Sequence, residues 1–128
     1  MLHLLDTSVC VSLIRGRSAS SPLPPTESCV VSVITVAELE VGIHRSARSR
    51  DQRLAVDAVL ACFTIMPFES SAATDYGEIR ADLETKGTLI GPLDLLIAAH
   101  ARSLGAAVLT GNVSEFKRVK GLKVLAWN

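Results

Sequence analysis

The stretch Met1-Leu2-His3-Leu4-Leu5-Asp6-Thr7-Ser8-Val9-Cys10-Val11-Ser12-Leu13-Ile14 sets the reading of the whole chain. Its apolar run stops at three polar residues and resumes with Val9, Cys10, Val11, Leu13 and Ile14, the pattern of a short buried strand feeding a helix. The same unit recurs downstream. Cys29 to Val33 is β-branched enough for a second buried strand, and Thr35 to Arg48 carries helical spacing through Val36, Leu39, Ile43 and Ala47. Further helices are predicted over Asp51 to Cys62, Ser70 to Lys86 with Gly87 as its stop, and Asp94 to Leu104, opened by a loop through Gly91 and Pro92 and ended by Gly105. Strands are predicted at Ile65 to Pro67, Ala107 to Thr110 and Lys123 to Trp127, with a polar-led turn over Gly111 to Arg118. Gly16 to Ser28, with Pro22, Pro24 and Pro25 among serines, reads as an exposed, mobile loop. Strands alternating with helices imply an α/β fold with a mostly parallel sheet, helices on both faces and sites at the carboxyl ends of the strands.

A chain of 128 residues supports one hydrophobic core, so one domain spanning 1–128 and one site are expected. Formal net charge is zero, but acids gathered in one pocket would leave the remaining surface basic, because 13 Lys and Arg would then outnumber the acids outside it. His44, Arg45, Arg48, Arg50 and Arg53 crowd one stretch, and Lys117, Arg118, Lys120 and Lys123 another; each run also reads as a solvated helix face. Cys10, Cys29 and Cys62 are odd in number and lack paired spacing, which disfavours a disulfide framework or a structural zinc site and suggests buried free thiols. No leader-like segment or span of membrane length is present in the sequence, so a soluble, cytoplasmic protein without membrane association is expected.

Four polar residues fall where this layout builds a site: Asp6 after the first strand, Glu38 after the second, Asp94 opening a helix and Asn112 after the fourth strand, with Glu115 and Asp82 as lesser candidates. Each has a structural reading too. Asp6 or Ser8 caps the first helix, Thr35 with Glu38 matches a Thr-x-x-Glu capping box, and Asp94 caps the helix it opens. Capping leaves the combination unexplained, since acids projecting from one sheet edge repel one another unless a divalent cation with hard oxygen ligands sits among them. An Asp-x-Asp phosphatase pattern is missing, because Ser8 stands two positions after Asp6; a phospho-receiver is disfavoured by the lack of an early acidic pair. His100 lies within an apolar helix and reads as core; His3 and His44 have no partner pattern, and Tyr76 and Trp127 are isolated aromatics.

With those residues in place, the chain resembles the PIN-domain family and, within it, the VapC-type toxins. Asp6-Thr7-Ser8-Val9 looks like the family's opening motif and Ser32-Val33-Ile34-Thr35-Val36-Ala37-Glu38-Leu39 like its second. Gly91-Pro92-Leu93-Asp94, running on through Leu95 to Ala101, looks like the third, and Leu109-Thr110-Gly111-Asn112-Val113-Ser114-Glu115-Phe116 like the fourth. The resemblance covers nearly the full length and implies a PIN-like three-layer α/β/α sandwich. It also implies a metal-dependent endoribonuclease, with Asp6, Glu38 and Asp94 as carboxylate ligands of Mg2+ or Mn2+ and Ser8 and Thr110 orienting them. The fourth motif departs from the fully acidic version: Asn112 stands where many relatives carry Asp, so Asn112 is expected as a neutral ligand or water-positioning group and Glu115 as a substitute ligand. The expected reaction is hydrolysis of an RNA phosphodiester by a metal-activated water, with the basic clusters gripping phosphates. The expected partners are RNA, a VapB-type antitoxin and a second copy, as a homodimer or in a hetero-oligomer with the antitoxin. The competing reading is a PIN-like scaffold that binds RNA or protein without cleaving.

Overall fold

The computed structural model describes residues 1–17 and 21–127. Strand β1 (His3–Leu5) leads into α1 (Thr7–Ile14), and a 3₁₀ turn at Thr26–Ser28 precedes β2 (Cys29–Ser32). Helices α2 (Val33–Arg45) and α3 (Ser49–Leu60) follow, then β3 (Thr64–Met66), α4 (Ser70–Lys86), α5 (Pro92–Ser103), β4 (Ala107–Thr110), α6 (Val113–Phe116) and β5 (Val124–Ala126). The part of the predicted 16–28 loop at positions 18–20 lies outside the described residues.

The five strands form one sheet in the order β3-β2-β1-β4-β5, and every neighbouring pair is parallel. β1 is central, with Leu4 level with Val30 and Val108, and Leu5 level with Val31 and Leu109. Because side chains alternate along a strand, these two rows face opposite ways. Leu4, Val30 and Val108 join Ile79, Leu83, Leu95 and Ala98 of α4 and α5, whereas Leu5, Val31 and Leu109 join Val9, Leu39, Ile43 and Val56 of α1, α2 and α3. The sheet is therefore buried on both faces, which is why its central strands read as unbroken apolar runs, and the molecule is an α/β/α sandwich.

Gly87 and Gly105 stop α4 and α5 as expected. Both have positive φ, +65° and +66°, and at each the following N–H reaches back across the last turn: Thr88 to Leu83 O at 2.9 Å, Ala106 to Ala101 O at 3.0 Å. Three expectations need correction. α2 starts at Val33, capped by the Ser32 hydroxyl, which accepts the Ile34 N–H at 3.0 Å, so Thr35 lies inside the helix and there is no Thr35–Glu38 capping box. α5 starts at Pro92, whose missing N–H costs nothing in a first turn, and Asp94 is its third residue without a capping bond. Cys10 and Cys29 are buried, but Cys62, just past α3, is exposed.

Candidate active site

The chain turns from one half of the sheet to the other between β1 and β4, and their carboxyl ends open the crevice where such folds place their chemistry. Asp6 stands there. Its backbone N–H extends the β1–β4 ladder to Leu109 O at 3.0 Å, fixing where its side chain emerges. One carboxylate oxygen accepts the Ser8 hydroxyl at 2.6 Å and the Val9 N–H at 3.0 Å, and the other accepts the Thr110 hydroxyl at 2.5 Å. Asp6 thus caps α1 and is also clamped across the switch point, with 1% exposure. Burial raises its pKa, and the bonds from Ser8, Thr110 and the backbone pull the other way.

Glu38 sits on α2, a turn and a half past its start, and accepts the Thr7 hydroxyl at 2.6 Å. Thr7 Oγ1 also lies 3.0 Å from Thr35 Oγ1. A hydroxyl has one proton, and that of Thr7 goes to Glu38, so Thr35 donates to Thr7 in a chain Thr35 to Thr7 to Glu38. Neither Thr7 nor Thr35 was assigned this role from sequence; the signal was the Thr within Asp6-Thr7-Ser8.

Asp94, on the first turn of α5, is pushed up to about 7. Burial is the main cause, followed by the hydrogen bond and charge of Glu115 and then the charges of Asp6 and Glu38. Four acids from four segments therefore share one electrostatic environment. Helix starts lie beside Asp6 and Asp94, yet burial raises both carboxyls, and at Asp94 the charges of Glu115, Asp6 and Glu38 add to it. Glu115, on α6, is the group that touches Asp94. Asn112 is exposed, makes no capping bond and donates its backbone N–H to Thr110 Oγ1 at 2.8 Å. Asp82 lies away from this group, bridged to Lys86 on α4 at 3.0 Å.

Among the described residues, no three acidic, histidine or cysteine side chains already form a ready cation cage. The acids are instead satisfied by Ser8, Thr110, Thr7 and each other. The donor set still suits a hard divalent cation: it is all carboxylate oxygen, and a cation would offset the burial and like-charge repulsion that lift Asp94. A hollow of about 450 Å³ beside Glu38 and Thr7 is lined by Val11, Leu39 and, at its charged end, Arg15; a smaller one of about 370 Å³ runs from Glu38 past Val41 and Leu93 to Arg45. Arg15 was not singled out from sequence, because it stands alone rather than in a basic run.

Residues 3–122 match the PIN domain family. Over 133 aligned residues the chain is 35% identical to "Ribonuclease VapC2" of Rickettsia felis, covering 100% of this chain and 99% of that protein. It is 34% identical to the "tRNA(fMet)-specific endonuclease VapC" of Shigella flexneri, covering 98% and 97%. Among solved structures it resembles VapBC2 of Rickettsia felis bound to a promoter DNA fragment, with a TM-score of 0.88, 31% identity and full coverage of both chains. The DNA-bound VapBC of Salmonella typhimurium gives a TM-score of 0.89 at 32% identity, covering 98% of each chain. The order of the four acid-bearing segments, the sheet that gathers them and these full-length likenesses agree, and the chain belongs to the PIN-domain family, within its VapC group.

Proposed function

We propose that residues 1–128 form one PIN domain acting as a metal-dependent endoribonuclease, the toxin of a toxin–antitoxin pair. The observation that carries this reading is the convergence of Asp6, Glu38 and Glu115 on Asp94, whose carboxyl is pushed up to about 7 by burial first and then by these neighbours. Asp6, Glu38 and Asp94 would hold Mg2+, or Mn2+ in its place, with Glu115 as a further ligand and Asn112 as a neutral group positioning water or phosphate. The bound cation supplies Lewis acidity, making water more acidic and offsetting negative charge on the scissile phosphate. The protein's own residues supply order. Ser8 and Thr110 hold both oxygens of Asp6, and Thr7, backed by Thr35, holds Glu38. A cation held here would displace the Asp94 proton, so its occupancy is expected to rise with pH up to about 7. Arg15 and Arg45, in the hollows beside Glu38, grip backbone phosphates of RNA.

The two solved structures from Rickettsia felis and Salmonella typhimurium are VapBC complexes. By that likeness the partner here is a VapB-type antitoxin, with the chain as a homodimer or in a hetero-oligomer with it. Among the described residues no helix is long and apolar enough to cross a membrane; a cytoplasmic site of action is part of the proposal. Asn112 favours a second reading, a non-cleaving scaffold, but Glu115 beside Asp94 restores the fourth carboxylate. RNA cleavage in magnesium and in manganese decides between them. Asp6→Ala and Asp94→Asn should lose more than the roughly 100-fold that outer-shell partners cost. RNA binding by the parent without cleavage in either metal would establish the scaffold.

A further inference from the structure

His100 is a polar group in the core that the proposed chemistry does not use. Its ring is 1% exposed, so it cannot meet RNA or water in the crevice. Nδ1 lies 2.7 Å from Ser32 Oγ, a buried bond across 68 positions of chain. Ser32 ends β2 and caps α2, with Glu38 six residues further on; His100 lies six residues beyond Asp94 on α5. One hydrogen bond therefore ties the start of the helix carrying Glu38 to the helix carrying Asp94.

The direction of that bond follows from its neighbours. Ser32 Oγ already accepts the Ile34 N–H, which leaves its own proton to donate to Nδ1 and places the imidazole proton on Nε2. Burial lowers the His100 pKa and favours this neutral ring; the Pro67 backbone and the Glu69 carboxylate pull the other way, although Nε2 itself reaches no partner at hydrogen-bond distance. Phe68, just after β3, meets the ring edge-on at 5.4 Å and 72°. Stability alone gives no reason for a histidine here. A leucine among Ile97, Ala98, Ala99 and Ala101 would bury no orphan nitrogen, whereas a polar tie with one unmet group is expensive and fixes geometry.

We propose that His100 is a positioning residue: through Ser32 it locks the start of α2 against α5 and so sets the spacing of Glu38 and Asp94 that a divalent cation needs. The inference rests on the reading that these acids hold a cation. It predicts which outer residues matter to that cation without touching it.

The test is Mn2+ binding to the full chain by titration calorimetry at pH 8, with circular dichroism to monitor folding and RNA cleavage measured separately. His100→Leu and Ser32→Ala should each weaken Mn2+ by about tenfold, within the range for partners that orient ligands. The double variant should be no weaker than Ser32→Ala alone, because both singles remove the Ser32–His100 bond and Ser32→Ala also removes the cap of α2. His100→Asn, whose amide can meet Ser32 where Nδ1 does, should recover to within about threefold of the parent. A folded His100→Leu that binds Mn2+ as the parent does, or additive losses in the double variant, overturns the proposal. If His100→Leu does not fold, Ser32→Ala decides, and parental Mn2+ affinity in it overturns the proposal equally. A parent that binds Mn2+ but cleaves no RNA removes the nuclease reading alone, and the Mn2+ series still judges His100; a parent that binds no Mn2+ removes both.

Discussion

Asp94 is the residue at which fold and chemistry conflict most sharply. Its carboxyl titrates at 3.8 when free and is pushed up to about 7 in the folded chain, by burial first and then by Glu115, Asp6 and Glu38. Between those pH values the folded state holds a proton that the unfolded state has released. Asp94 thus contributes stability that is full below about pH 4 and is lost as pH rises to about 7. Thermal melts of metal-free protein should show the parent losing stability relative to Asp94→Asn across that window, because the amide cannot ionise. A parent–variant difference that stays constant from pH 4 to 7.5 refutes this. Glu115 is separable from the other causes. Glu115→Gln removes a like charge beside Asp94, so the Asp94 pKa, followed by carboxyl-carbon NMR, should move down; an unchanged value would mean that Glu115 does not act on Asp94 in solution.

At the scale of elements, α1 and α2 are joined by the Thr35 to Thr7 to Glu38 chain. Thr35 is fully buried, so Thr7→Val strands its hydroxyl and should cost about 1–3 kcal/mol in urea unfolding. Adding Thr35→Val removes the orphan with its partner, and the double variant should recover most of that loss. A double variant at the sum of the singles would mean the two hydroxyls do not depend on each other. The same pair shows where sequence reading reaches its limit. The strand–helix alternation, the stops at Gly87 and Gly105 and three of the acid-bearing segments were legible, because each is written in a run of apolar residues broken by a polar or glycine signal. The cap of α2 was not: Thr35-x-x-Glu38 satisfies a local rule, and only the contact with Thr7, 28 positions away, puts Thr35 in the interior and leaves the cap to Ser32. The contact of Glu115 with Asp94 was hidden for a similar reason, since it joins residues 21 positions apart in the chain. His100 read correctly as buried, but its partner on β2 is not visible in a helix-by-helix reading.

Across the whole molecule, zero net charge conceals two populations of cations. Arg53 is committed to Glu40 through bonds of 2.5 and 2.9 Å, Arg48 to Asp51, Arg80 to Glu84, Lys86 to Asp82, and Arg102 to Asp75 and Glu78. The remaining cations have no ion pair among the described residues, and of these Arg15 and Arg45 line hollows shared with Glu38. For the phosphate grip proposed above, position beside Glu38 counts with availability, and Arg48 and Arg53, already paired, are weaker candidates than the density of their run suggests. A phosphate contact releases counterions, so each one lost lowers the slope of log affinity against log salt by about 0.7 for single-stranded RNA. In an Asp94→Asn background, chosen to suppress cleavage, Arg15→Ala and Arg45→Ala should each reduce the slope by about that amount, read by fluorescence anisotropy from low to moderate salt. Arg53→Ala, which removes a cation already neutralised by Glu40, should leave it unchanged. If the Arg53 variant flattens the slope as much as the other two, RNA runs along the outer face of α3 and not through the hollows beside Glu38.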